Sequence, residues 1–273
     1  PGEPVSADCP AVSFVAEESG QSLELDPADP TEVTFTVTRE KADAAASYNL
    51  TVLSNTDDVF VVPATVDFAA GAKEATVKAT FNNAEVGKTY SFEVALDDEV
   101  VNPYKSSTRK SFTFKAVRVK WNSIGTGQWI DNFWYGFWDE IEIQQRDDKP
   151  EYYRVKSLYT DDVVTSSGSA LGTYKDYFVF KVSKDGYVTW DTPLCINTSY
   201  QDTGIDILGH LPSQLSPDFA GDDAQSVATY DDEGNIQYLT IAPYWYVGGL
   251  GGFGIHNLYL AFPGYDLASE LGF

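Results

Sequence analysis

Residues 90–96 read YSFEVAL and residues 32–38 read EVTFTVT, so apolar and polar side chains alternate one by one. That is the period of a strand with one buried face and one wet face. The same period recurs at Val12–Phe14, Tyr48–Leu53, Ala75–Phe81 and Ser111–Val119. Between these runs stand the chain breakers Asp26-Pro27, Asp29-Pro30, Ala70-Gly71 and Val86-Gly87, the residues that supply turn geometry. Helical spacing is nearly absent. Residues 11–118 are therefore expected to form a seven-strand antiparallel sandwich. Its last strand (SFTFKAVRVKW, 111–121) runs on into the second half of the chain without a flexible linker, which predicts a semi-rigid pair of modules.

Length and composition agree with two domains, because 273 residues with 43% hydrophobic content can build two cores. The net charge of −23 divides as −10 over residues 1–117 (9 basic, 19 acidic) and −13 over residues 118–273 (9 basic, 22 acidic). Neither half can approach nucleic acid or an anionic membrane without repulsion. Lys184 is the last basic residue before the histidines His210 and His256, and the 89 residues after it carry twelve carboxylates. Such a surface suits cationic partners or divalent ions, or it simply keeps the protein soluble. Cys9 and Cys195 are too far apart in sequence for a local metal knuckle or redox pair; a single bridge and two free thiols are both open readings. The proline-rich, polar lead PGEPVSADCP (1–10) is expected to be a tether. No apolar run approaches the length of a membrane span.

The second half alternates as well. Strands are expected at Glu140–Gln144 and Tyr152–Leu158, with hairpins joining Tyr177–Ser183 to Tyr187–Trp190 through Asp185-Gly186, and Val227–Tyr230 to Ile236–Ile241 through DDEGN (231–235). Asn257–Phe262 reads as a last strand, and residues 199–226, which lack clean periodicity, read as a long surface excursion.

Two family resemblances are carried by these residues. VFVVPATVDFAAGAKEATVKATF (59–81) followed by GKTYSFEVALDD (87–98) resembles the Calx-beta type of immunoglobulin-like sandwich, over about residues 30–117. The resemblance implies calcium binding through loop carboxylates, for which Asp97, Asp98 and Glu99 are the candidates, with Asp57 and Asp58 in another loop; oxygen ligands of this kind suit a hard cation, and a merely solvated acidic turn is the alternative. WNSIGTGQWIDNFWYGFW (121–138) with DEIEIQQRDDKPEYYRVKSLY (139–159) resembles a unit of uncharacterised surface lipoproteins of gut Bacteroidetes. The likeness rests on Trp121, Gly125-Thr126-Gly127, Asp131, Ile141-Glu142-Ile143, Tyr153-Arg154-Val155 and Tyr159. It implies an exported protein, lipid-anchored at the outer membrane or cell surface, whose membrane contact is through an N-terminal anchor outside this chain.

Function is sought in the rings. Residues 129–138 (WIDNFWYGFW) hold six aromatics among the turn formers Asp131, Asn132 and Gly136, and residues 243–254 (PYWYVGGLGGFG) set Tyr244, Trp245 and Tyr246 beside five glycines. If these loops meet at one end of the domain they form a ring-lined cleft, where ring faces stack on sugar C–H faces and nearby Asp, Asn or Gln satisfy the hydroxyls. The candidate carbohydrate-binding residues are Trp129, Trp134, Tyr135, Trp138, Tyr244, Trp245 and Tyr246, with Trp134, Trp138 and Trp245 as the exposed platforms. The competing reading is that these rings form a core wedge.

Catalysis has little support. His210 and His256 are the only imidazoles, and no nucleophile elbow, zinc-binding helix or phosphate loop is present. A glycosidase pair could be drawn from Asp139, Glu140 and Glu142, although carboxylates are so abundant that the choice is nearly free. The sequence thus predicts an all-β surface protein: a tether over 1–10, an immunoglobulin-like, Calx-beta-like domain over 11–118, and a larger antiparallel β-sandwich over 119–273 bearing the ligand site. Non-catalytic glycan recognition is the expected function. The alternatives are a structural or adhesive protein that binds another protein, and a glycoside-active enzyme. Calcium is the one cofactor suggested.

Overall fold

The structure, a computed structural model, describes residues 8–273, so most of the expected tether lies outside the described residues. The chain is all-β and divides into two compact units, one ending at Lys120 and the other spanning Trp121–Phe273. Both cysteines are free thiols.

The first unit carries β1 (Ser13–Phe14), β2 (Gln21–Leu25), β3 (Glu32–Thr38), β4 (Ala46–Asn55), β5 (Thr65–Phe68), β6 (Glu74–Thr80), β7 (Thr89–Leu96) and β8 (Ser111–Arg118). They form a three-stranded sheet in the order β1-β3-β6 and a five-stranded sheet in the order β2-β8-β7-β4-β5. Alternation explains the layers. Phe35 and Val37 of β3 and Phe92, Val94, Phe112 and Phe114 of β7 and β8 are all buried in one core, and Phe35 stacks on Phe112 with centroids 4.3 Å apart. The count is eight strands, not the seven expected, and β2 runs parallel to β8 with Gln21 opposite Phe114 and Leu25 opposite Arg118. β2 and β5 are short edge strands. Each sends only two side chains toward the core, Leu23 and Leu25 from one and Val66 and Phe68 from the other, too few repeats to register as a period.

The second unit carries β9 (Trp121–Asp131), β10 (Phe137–Arg146), β11 (Tyr152–Lys156), β12 (Ala170–Leu171), β13 (Tyr177–Val182), β14 (Val188–Thr189), β15 (Leu194–Ser199), β16 (Asp206–His210), β17 (Val227–Tyr230), β18 (Ile236–Ile241), β19 (Tyr244–Val247), β20 (Gly251–Ile255) and β21 (Leu258–Ala261). Eight of them form one antiparallel sheet, β14-β13-β11-β10-β9-β21-β18-β17, and five form another, β12-β15-β16-β19-β20. The ends of the longer sheet approach each other: Tyr187 bridges Val227, and the Val188 amide donates to the Ser226 carbonyl at 2.9 Å. The sheet is therefore curled almost into a barrel. Ile141, Ile143, Phe180, Leu239 and Leu258 from it share a core with Ile196, Ile207, Trp245 and Val247 from the shorter sheet.

Both expected hairpins are present. Gly186 adopts φ 83°, the left-handed turn conformation for which glycine is suited. In the other turn, the Asp231 carboxylate accepts from the amides of Glu233 at 3.0 Å and Asn235 at 2.7 Å. The expected surface excursion over 199–226 is corrected in one part: β16 lies in the middle of the shorter sheet, between β15 and β19. Its signal is interrupted because Gly209 stands where Ile207 and Leu211 would call for a third apolar side chain. A Cβ there would lie 2.9 Å from Pro243 and 3.0 Å from Trp245.

The residues of the Trp–GTG–YRV unit resolve into packing roles. A Cβ at Gly127 would sit 2.0 Å from the Ala261 carbonyl oxygen and 2.8 Å from Ile143 Cδ1, so only glycine lets β21 lie against β9 there. The buried guanidinium of Arg154 lies 3.9 Å from the Tyr177 ring centroid and 4.7 Å from that of Trp121, and its Nε donates to Gln144 at 2.7 Å. A planar cation between two rings ties β9, β11 and β13 together.

Candidate functional site

β9 alternates Gly127, Trp129 and Asp131 inward, and all three are buried. Trp129 Nε1 donates to the Tyr159 hydroxyl at 3.2 Å, and that hydroxyl donates to Asp131 Oδ2 at 3.0 Å. The other carboxylate oxygen, Oδ1, accepts from the amides of Phe133 at 2.9 Å and Trp134 at 2.8 Å. A buried aspartate thus fixes the turn between β9 and β10 from below. Burial raises the Asp131 carboxyl above its ordinary range, opposed by hydrogen bonds from the Trp134 and Phe133 amides and from Tyr159. Burial, then the neighbouring Asp131 charge, raises the Tyr159 phenol well above its usual value.

The two aromatic segments meet. Trp134 packs edge-on against Trp245 with centroids 5.3 Å apart and against Phe253 at 5.1 Å. Phe133 lies flat on His256 at 3.6 Å. The His256 Nε2 hydrogen-bonds the Phe253 carbonyl at 3.0 Å, which requires the proton on that nitrogen because a carbonyl can only accept. Phe133 and Phe253 are exposed, so this cluster reaches the surface.

Beside it runs a groove that is open to solvent. Trp134 and Tyr135 line it together with Ser169, Thr198, Tyr200, Gln201 and Asp202. The Tyr135 hydroxyl makes a short hydrogen bond with Thr198 Oγ1, which donates onward to the Ile196 carbonyl at 3.0 Å; the phenol is therefore the donor. Trp134 Nε1 is buried and has no hydrogen-bond partner among the described residues. Gln201 and Asp202 are exposed and adopt φ 46° and φ 57°, a left-handed conformation costing roughly 1–2 kcal/mol per non-glycine residue. The Thr203 amide to Tyr200 carbonyl bond (2.9 Å) and the Gly204 amide to Ser199 Oγ bond (2.8 Å) hold that turn in place.

The seven candidate rings do not form one site. Trp134 and Tyr135 line the groove. Trp245 is corrected from exposed platform to core: it is 0% exposed, because β19 alternates and puts Trp245 with Val247 inside, and its Nε1 donates to the His256 carbonyl at 3.1 Å. Trp129 is likewise core, 3% exposed, under the turn. Tyr244 and Tyr246 take the opposite parity on β19, where Tyr244 stacks on Phe219 and Tyr246 meets His210 edge-on. Trp138 is exposed, as expected, but it alternates with Phe137, which packs on Tyr159, and is not among the groove residues. Phe133, Phe253, Tyr200, Gln201 and Asp202 belong to the surface around these rings and escaped the sequence reading. The last three sit in the aperiodic 199–226 stretch, whose only signal was its lack of pattern.

The remaining candidates are scattered. Asp97 accepts from Asn49 Nδ2 at 2.9 Å, and Asp98 pairs with Lys110 at 2.5 Å. Among the described residues no three His, Cys, Asp or Glu side chains converge in a way that could hold a metal ion. Asp139, Glu140 and Glu142 are exposed along β10 and do not line the groove. Burial lowers the half-buried His210 imidazole's affinity for a proton.

No family model and no curated protein matches the chain. Among solved structures it is similar to an auxiliary nutrient binding protein from Bacteroides thetaiotaomicron, at 8% sequence identity, with 88% of each chain covered and a TM-score of 0.27. A likeness at that level assigns neither fold nor function.

Proposed function

We propose that the second unit is a non-catalytic binding module that takes a carbohydrate in the groove between the β9–β10 turn and the 200–202 turn. The observation that carries this reading is the composition of the groove: the aromatic rings of Trp134 and Tyr135 line it together with the exposed polar side chains of Gln201 and Asp202. Ring faces take sugar C–H faces, and short polar side chains take the hydroxyls. Strained left-handed residues at Gln201 and Asp202 favour a placed recognition turn over a passive loop. The groove contains Asp202 and no cation, which suits a neutral polyol better than an anion. Placement at a cell surface through a lipid anchor is part of the same proposal, as is the Calx-beta-like character of the first unit, whose role would be to present the second. Among the described residues no helix is long and apolar enough to cross a membrane.

Calorimetric titration of the intact chain with a panel of neutral plant and host oligosaccharides tests the reading. Saturable binding to at least one neutral oligosaccharide, unaffected by chelator, is expected; silence across the panel, together with capture of a defined partner protein, would turn it toward adhesion.

A further inference from the structure

A second cleft in the same unit has the opposite character. It lies between the sheets and opens to solvent. Ile141, Val155, Leu158, Phe178, Leu194 and the indole of Trp129 make its walls apolar. Lys156 and Lys175 line it while remaining exposed, so both stand at its open side. The second unit holds 7 Lys and Arg against 22 Asp and Glu, yet two of those cations and none of the carboxylates line this cleft. A random placement of charge on so acidic a unit would put acids there first.

An apolar interior with a cationic mouth is complementary to one kind of molecule. We infer that this cleft binds a small amphipathic monoanion, a short acyl chain or a single aromatic ring carrying one carboxylate, with the apolar body against Trp129, Phe178 and Leu194 and the carboxylate between Lys156 and Lys175. This site is independent of the carbohydrate groove, with which it shares no lining residue. The lysines are long enough to follow a carboxylate at the surface, while the walls exclude water from its tail. Ser157, Tyr177 and Thr192 also line the cleft, but the walls are mainly apolar, so an apolar tail gains more there than a neutral sugar or an inorganic anion.

All six tryptophans lie in the second unit, and one of them lines the cleft, so intrinsic fluorescence reports on it directly. Sodium octanoate titrated into the intact chain is expected to shift that fluorescence saturably, and 1-octanol to bind about tenfold more weakly. In the Lys156→Gln/Lys175→Gln variant, whose exposed positions leave the fold alone, octanoate should weaken to the level of octanol while octanol is unchanged. A second readout places the ligand. Thr192 lines the cleft and is exposed, so in a Cys9→Ser/Thr192→Cys background saturating octanoate should slow alkylation of the introduced thiol by iodoacetamide. No saturable response to octanoate, equal affinity for the alcohol, retained octanoate affinity in the lysine double variant, or an unprotected introduced thiol would each overturn the inference. Loss of oligosaccharide binding alone would not touch it.

Discussion

The Tyr159 hydroxyl donates to the buried Asp131 carboxylate at 3.0 Å, and the opposite oxygen of that carboxylate holds the amides of Phe133 and Trp134. One side chain therefore links the core to the turn that carries the groove's aromatic wall. Removing it leaves two amides and a buried phenol without their acceptor, a loss of the order of 1 kcal/mol or more for each unsatisfied group. Asp131→Ala is expected to destabilise the second unit by about 3 kcal/mol, read as a lower urea midpoint by tryptophan fluorescence. A change below about 1 kcal/mol would mean that the turn is held by its rings alone.

The pH dependence of the same group has a definite sign. Its folded pKa is raised by burial, so its contribution to stability is fully present below the ordinary carboxylate value and is lost as pH rises through the folded value. Asp131→Asn is neutral at every pH and lacks that loss. The stability of the native chain relative to this variant should therefore fall as pH rises above the ordinary carboxylate range. A difference that stays constant or rises across that window would contradict the assignment of burial as the dominant cause.

Trp245 and Trp138 separate core from surface. Trp245→Ala should cost about 3–5 kcal/mol, since it empties a fully buried indole site. Trp138→Ala, at 40% exposed on the outer parity of β10, should cost less than about 1 kcal/mol and leave ligand binding unchanged. Comparable losses from both would refute the parity assignments.

These two residues also show what the sequence made legible. Alternation identified β3, β4, β6, β7, β8, β10 and both hairpins, because a half-buried strand must repeat every second residue and the turns were marked by Asp and Gly; it marked neither β9, the longest strand, nor β15, whose residues are all buried. Within YWYV all four side chains are large and largely apolar, so the pattern alone does not say that Trp245 and Val247 are the parity facing the core. β16 was hidden for a different reason. Gly209 removes a side chain so that the Pro243 and Trp245 side chains can approach, and with it goes the apolar period. The meeting of Trp134 with Trp245 and Phe253 depends on how two distant hairpins are brought together by the sheets, and no local pattern encodes it. The Tyr200–Asp202 wall carried no periodic signal at all.

The turn at Gln201 offers a test of stored strain. Glycine accepts φ 46° without penalty, so Gln201→Gly should raise stability by up to about 1 kcal/mol while weakening the ligand, because the side chain that faces the groove is gone. Unfolding midpoints and calorimetric affinity measured on the same preparation check both halves. A variant that is destabilised, or that binds as tightly as the native chain, would show that this turn is neither strained nor in contact with ligand.

The most direct test of the central claim compares Trp134→Ala with the native chain in titrations against the oligosaccharide that binds best. Trp134 is partly buried against Trp245, so a stability loss of about 2 kcal/mol is expected, and binding is compared at a temperature where both proteins are folded. The account predicts that affinity falls at least about a hundredfold, the loss of a stacking wall, while octanoate binding persists. Undiminished oligosaccharide affinity in the folded variant would place the carbohydrate elsewhere and return Trp134 to the core.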